Sequence, residues 1–346
     1  MAKPTQYTVE RGTRASRMFG VVALVALAAL AALPYWGERA WLRTAVEIAS
    51  YLALAQFWNL LAGYAGSVSV GQQAFVGLGG YSLFVLAIHF GVPPLLCIPL
   101  AGIIAALFAL PTAWVVFRLR GAYFAIGTWV VAEVYRLGFA QVSALGGGSG
   151  MSLPAAIVRG IGADREAREA LIYWTALAIA VGAVALVYGL LRSRFGLALT
   201  AIRDSEPAAA SAGVNNFRVK RWVYIAAAFG TGMVGSLIFL NKLRIAPEAA
   251  FSVNDWTANV IFIVVIGGIG TIEGPFIGTL VFFALRQFLA DYGAWYMMLL
   301  GLVAVVVMLM APQGIWGLVA ERFDLRLFPV QRRLRLTLSD SSGDIR

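Results

Sequence analysis

The sequence predicts an all-α, polytopic integral membrane protein of about eight to ten transmembrane helices. Three observations carry that prediction: charge is scarce, apolar runs of spanning length recur along the chain, and Lys and Arg sit in short clusters between the runs. Of the 346 residues, 60% are hydrophobic and 13% charged, about half the charge of an average soluble domain. Mean hydropathy is +0.81. Water cannot be the main solvent for such a surface.

Ten apolar segments follow in order: 18–36, 43–63, 69–90, 94–117, 123–140, 170–191, 221–240, 256–271, 275–290 and 294–311. The fifth, eighth and ninth are short or interrupted by glycine, which is why the expected number runs from eight to ten. The first follows Lys3, Arg11, Arg14 and Arg17 and reads as an uncleaved anchor, because so many runs come after it. Placing the N-terminus in the cytoplasm puts 18 of the 27 Lys and Arg on the cytoplasmic side. These are the four just named, Arg118 and Arg120, six in 192–221 and six beyond 312. That asymmetry predicts cytoplasmic termini and an even number of spans. The chain divides into a cytoplasmic segment 1–17, a membrane domain 18–311 with a polar cytoplasmic loop at 192–220, and a cytoplasmic tail 312–346. The tail, with Arg332, Arg333, Arg335 and the Ser341–Asp344 end, reads as a surface segment without fixed structure.

Composition excludes several functions. The net charge of +10 is dispersed as a topology signal rather than gathered into a nucleic-acid stripe. One cysteine, Cys97, and one histidine, His89, leave no basis for a disulfide or a multi-histidine or cysteine metal site, and no cofactor is expected. Gly230-Thr231-Gly232-Met233-Val234-Gly235 satisfies the dinucleotide fingerprint GxGxxG, but it lies inside an apolar segment with no preceding strand, so helix packing explains it. No G-x-x-x-x-G-K-[ST] occurs; an ATPase, if one drives this chain, is a separate polypeptide.

Four charged residues fall inside the segments: Glu47, Glu133, Arg136 and Arg286. Each costs about 2.5–3.5 kcal/mol at a helix centre on insertion scales, so each must face protein or water. Glu133 and Arg136, three apart, are expected to form a structural ion pair rather than a proton relay. His89 is expected at an interface.

Residues 63–80 carry glycines at 63, 66, 71, 77, 79 and 80. Glycine weakens a helix, so a break is expected here, with Ser67, Ser69, Gln72 and Gln73 supplying hydrogen-bonding groups. Freed backbone groups are tolerated in a membrane only beside protein or a water-filled cavity. Gly66, Ser67, Ser69, Gly71, Gln72 and Gln73 are therefore candidates for a translocation path, against the alternative of close helix packing. The second glycine-rich stretch, 267–278, reads as a tight turn between two apolar runs, with Glu273 free to cap a helix or pair with Arg. The two stretches hint at related halves.

In the polar loop, Asp204 or Ser205 can N-cap a helix, Pro207 suits its first turn, Glu206 sits at the positive end of its dipole and Gly213 is a natural stop. The result is an Ala-rich helix of about two turns. An ordinary connecting helix and a partner-docking helix both fit that description.

Here the chain resembles a known family. The acidic residue, paired alanines and following glycine are similar to the EAA coupling loop of ABC importer permeases. The string from Ser193 to Val214 resembles that loop in branched-chain amino acid importers, of the Liv type and M-subunit-like. Other elements match in the family's order: Asn59-Leu60-Leu61-Ala62-Gly63-Tyr64-Ala65-Gly66 with Ser69-Val70-Gly71, Arg118 to Tyr123, Glu133-x-x-Arg136, and Gly267 to Pro275. Gln72, Ala122, Pro207 and the Gly146–Gly150 stretch depart from the pattern.

The resemblance implies a permease in the prokaryotic plasma (inner) membrane, paired with a second permease subunit, two cytoplasmic ATP-binding subunits and an extracytoplasmic substrate-binding protein. It implies amino acids as substrates, branched-chain ones foremost, and urea or short amides as the alternative. It assigns Arg203, Asp204, Glu206, Ala208, Ala209 and Gly213 to ATPase coupling and leaves the chain without a reaction of its own. An ion-coupled secondary transporter is the competing class, and Glu47 and Glu133 are the only acidic groups in the first-half spans to serve it.

Overall fold

The computed structural model describes residues 6–10, 14–162, 164–289, 295–311, 313–323, 327–329 and 333–337. Strand β1 (Gln6–Glu10) precedes α1 (Arg14–Ala31), α2 (Leu33–Trp36) and α3 (Arg39–Asn59), which continues as a π-helical turn, Leu60–Tyr64. After a non-helical stretch come α4 (Gln72–His89), α5 (Pro94–Val116) and α6 (Ala122–Gln141). Strand β2 (Met151–Ser152) and α7 (Ala155–Arg159) lead to α8 (Arg165–Arg192), α9 (Arg194–Asp204), α10 (Glu206–Ser211) and α11 (Asn216–Lys242). Strand β3 (Arg244–Ile245) and α12 (Pro247–Ala250) are followed by a π-helical turn, Asn254–Ala258, and α13 (Asn259–Gly267). The chain closes with α14 (Gly274–Leu289), α15 (Trp295–Met310), α16 (Gly314–Phe323) and β4 (Arg333–Thr337).

Each of the ten expected segments contains a helix. Among the described residues, six stretches are long and apolar enough to cross a membrane: Arg39–Tyr64, Pro94–Val116, Arg165–Arg192, Asn216–Lys242, Pro247–Gly267 and Met298–Phe323. Shorter apolar helices fill Met18–Ala31 and Gly274–Leu289. Strand β1 pairs antiparallel with β4, which brings residues 6–10 and 333–337 together at one end of the bundle. The other sheet, β2 with β3, ties the loop after α6 to the chain leaving α11 at the opposite end. Both are two-stranded and leave the all-α class intact.

Helices α3, α4 and α11 form the centre, with α5, α6, α8 and α14 around them. The outer helices expose rows of large apolar side chains, such as Ile103, Leu107 and Trp114 on α5 and Ile126, Trp129 and Val134 on α6. Such surfaces need lipid or protein rather than water. The GxGxxG stretch turns three glycines of α11 toward three different helices. A Cβ would strike the Phe57 ring at Gly230, the Ala105 side chain of α5 at Gly232 and the Val76 backbone of α4 at Gly235. Small-residue packing is thus what the motif does here.

Two expectations need amendment. The segment expected to begin at 69 becomes helical only at Gln72, because 65–71 is non-helical. The tail expected to lack structure forms α16, since Gly314 closes directly onto the Gly267–Gly268 backbone and Trp316 is buried. Lys3, Arg11, Arg332 and the Ser341–Asp344 end lie outside the described residues.

Candidate functional site

The break after α3 begins where the helix widens into its π turn and ends at Gly66, whose φ of 64° favours glycine. Residues 65–71 then run with alternating burial. Ser67 and Ser69 point inward, while Gly66 and Val68 are exposed. Backbone partners come largely from elsewhere: Trp58 donates its indole N–H to the Ser69 carbonyl (2.8 Å), and the Val70 amide donates to the Thr128 hydroxyl of α6 (3.0 Å). Gly71 abuts the Thr128 backbone so closely that a Cβ has no room. Val68, about half exposed, makes no backbone hydrogen bond among the described residues.

The two glutamines that open α4 turn inward. Gln73 accepts the Thr257 hydroxyl proton and donates its own amide N–H to the Val70 carbonyl (3.1 Å). Gln72 donates to the Leu54 carbonyl (2.9 Å) and toward the Thr231 hydroxyl (3.4 Å), while its Oε1 has no partner. A cavity of about 20 Å³ lies there, between α3, the start of α4 and α11, lined by aromatic and small apolar side chains with Ser69, Gln72 and Thr231. That volume holds about one water.

The second break, 268–273, is held by α3. Asn59, fully buried, accepts the Gly270 N–H (2.8 Å) and donates to the Thr271 carbonyl (2.7 Å). Gln56, also fully buried, donates to the Ile272 carbonyl (2.8 Å). The stretch is the tight turn expected, with Gly268 at φ 134° and Gly270 at φ 76°. Glu273, expected to cap or to pair with Arg, instead accepts the backbone N–H of Phe328 (3.0 Å) and so ties down the tail.

Arg203, at the end of α9, lies against both breaks: a Cβ at Gly270 would sit 3.6 Å from its guanidinium, and one at Gly66 3.8 Å from its Cα. Asp204 pairs with Arg203 (3.2 Å). Helix α10 has the expected cap, with the Ser205 hydroxyl accepting the Ala208 N–H (3.3 Å) and Gly213 at φ 85° past its end. Glu206 forms an ion pair with Lys220 of α11, and its carbonyl accepts from Asn216 (2.8 Å). Ala209 is buried against the protein's own core, whereas Ala208 and Ala210 are exposed.

The sequence pattern of the family described as "Branched-chain amino acid transport system / permease component" matches residues 40–311. The chain belongs to this permease family. It is 27% identical over 310 residues to the high-affinity branched-chain amino acid transport system permease protein LivM of Escherichia coli K12, covering 82% of this chain and 72% of that one. Its similarity to LivM of Salmonella typhimurium LT2 is the same, 27% over 310 residues. No solved structure matches.

All four charged residues expected within the permease's spans are in ion pairs. Glu47 of α3 meets Arg286 of α14 at 2.9 Å. Arg136 pairs with Glu133 at 2.6 Å, as expected, and also reaches Glu248 of α12 at 3.0 Å. These pairs tie helices together and leave no free acidic group in the first-half spans for ion coupling. Arg136→Leu would leave Glu133 uncompensated and is expected to destabilise the permease by about 1–3 kcal/mol. Glu248→Ala, removing a partner that is 87% exposed, is expected to cost less than about 0.5 kcal/mol. Thermal unfolding in detergent separates the two variants.

Sequence reading passed over the roles of Gln56, Asn59, Thr128, Thr231 and Thr257, which cross-link the breaks. Their signal was polarity within apolar runs, each a buried group that needs a partner. It also missed α9, whose buried Gly196, Leu199 and Ile202 recur at three-residue spacing.

Proposed function

We propose that the permease is one of two membrane subunits of an ATP-driven importer and carries amino acids, branched-chain ones foremost, across a prokaryotic plasma membrane. Both termini and α9–α10 are cytoplasmic in this reading, and two ATP-binding subunits engage α10. A substrate-binding protein delivers substrate at the opposite end. The observation that carries the reading is the position of α9–α10. A capped helix with a smooth, exposed alanine face is joined through Arg203 to both helix breaks, so a push on α10 reaches the membrane interior. Arg203, Asp204, Glu206, Ala208 and Gly213 serve that coupling, Ala209 by seating α10 on its own chain. The path runs beside Gly66, Ser67, Ser69, Gly71, Gln72 and Gln73.

The test compares Glu206→Lys with the charge-swapped Glu206→Lys/Lys220→Glu in the assembled transporter, measuring substrate-stimulated ATP hydrolysis and uptake in proteoliposomes. Glu206→Lys is expected to lower both at least about tenfold while the chain remains inserted, because it presents like charge to a surface built for an acidic residue. The double variant restores the internal pair and is expected to remain uncoupled. Recovery in the double variant would mean that Glu206 acts only within this chain.

A further inference from the structure

The geometry points to the cavity between α3, α4 and α11 as a binding pocket for an aliphatic amino acid zwitterion, seen here in its collapsed form. This inference rests on the transport reading above and names the place where that substrate is held.

The polar atoms around the cavity divide by chemistry. Gln72 is 6% exposed and its Oε1 lacks a donor, so the cavity presents one unspent acceptor. Ser69 accepts from the Gly71 N–H (3.2 Å) and Thr231 from Gln72. Neither hydroxyl donates to an acceptor among the described residues, so the cavity also holds two unspent donors. The start of α4 adds the positive end of an 18-residue helix. A group rich in N–H, such as an ammonium, satisfies Gln72 Oε1. A carboxylate satisfies the two hydroxyls and the helix start. Much of the remaining wall, Phe57, Leu61, Phe75, Ala227 and Ala228 among it, is apolar, suited to a branched hydrocarbon side chain. Urea and short amides lack the carboxylate, and urea lacks the hydrocarbon as well.

At about 20 Å³ the cavity admits about one water, so substrate enters only when its walls part. The wall able to move is α11, which follows α10 after a short turn, Ala212–Asn215. A displacement of α10 by an ATPase is thereby passed to Ala228 and Thr231, and the pocket opens in one nucleotide state and closes in the other.

The assembled transporter carrying Ala228→Cys on a Cys97→Ser background tests this with a small methanethiosulfonate reagent. Labelling is expected in one nucleotide state only, slowed several-fold by saturating L-leucine and unaffected by urea. If the variant transports leucine yet is never labelled, or is labelled without protection by leucine, the pocket assignment is overturned. Thr231→Val keeps the shape and removes the donor. In complexes that still assemble it is expected to reduce leucine uptake about tenfold, whereas unchanged uptake, the behaviour of a site that merely traps a water, overturns the proposal. If the unmodified complex moves no amino acid at all, it is the transport reading that fails.

Discussion

Replacing Asn59 by Leu is expected to destabilise the permease by about 2–4 kcal/mol and to abolish coupled uptake. The turn 268–273 has no regular secondary structure, and its backbone depends on α3 for partners. Asn59 supplies two of them, to Gly270 N–H and Thr271 C=O, and Gln56 a third, to Ile272 C=O. Leucine retains most of the volume and offers neither donor nor acceptor, so a buried amide and a buried carbonyl are left unmatched, at about 1–3 kcal/mol each. The surroundings have little freedom to adjust, because a Cβ at Gly63 would already lie 2.5 Å from the Gly270 nitrogen. Asn59→Asp keeps the acceptor for Gly270 but sets a buried carboxylate against the Thr271 carbonyl, so an effect no smaller than that of leucine is expected from it. Cys97, fully buried and the sole thiol, reports unfolding by its reactivity with a thiol dye during a thermal ramp. A midpoint for Asn59→Leu indistinguishable from that of the parent would show that the turn holds itself. Uptake is expected to fail with stability because Arg203 rests on this turn: once Gly270 shifts, motion of α9–α10 no longer meets a fixed surface.

The helical membrane architecture was legible because a bilayer asks for apolar runs of spanning length, and 94–117, 170–191 and 221–240 supply them without ambiguity. The α10 cap was legible for a local reason. Ser205, Pro207 and Gly213 act within a few residues of themselves, and each took its expected place. The break near Gly66 was legible from glycine density, but its consequence was not. Ser69 and Gln72 border the cavity, whereas Ser67 and Gln73 do not, and the exposed residues of the break are Gly66 and Val68. Which way a polar side chain turns depends on what lies across from it. Gln73 meets Thr257, 184 positions along the chain, a pairing no local pattern records. Glu273 shows the same limit: its acidity suggested Arg, and the group it found was the amide of Phe328. Helix α9 was obscured by composition. Its arginines and aspartate marked it as loop, although the three-residue recurrence of buried positions was present in the string.

Gly79→Val is expected to disrupt the membrane domain strongly although it removes no polar side chain. A Cβ at Gly79 would fall on the Gly232 carbonyl of α11, and a Cβ at Gly235 would fall on the Val76 carbonyl of α4. The two helices thus meet backbone to backbone through reciprocal glycines, and neither side has a flexible side chain to move away. Overpacking at such a contact costs about 1–3 kcal/mol where side chains can yield, and the upper end is expected here because whole helices must separate. Gly182 of α8 is the informative contrast, since a Cβ there meets nothing within 4 Å. Gly182→Ala is therefore expected to be neutral or to stabilise by up to about 1 kcal/mol through helix propensity. Opposite signs for two glycine substitutions in helices of the same bundle, read from the same Cys97 exposure curve, would place the effect in the crossing rather than in glycine itself. Equal effects would deny the crossing any special tightness. The crossing also bears on transport. Gln72 lies seven residues before Gly79 on α4, and Thr231 is the immediate neighbour of Gly232 on α11, so the helices that touch at the glycines are the ones that bound the cavity. Forcing them apart at Gly79 loosens the cavity from one end, and uptake is expected to fall even in membranes where the variant remains folded.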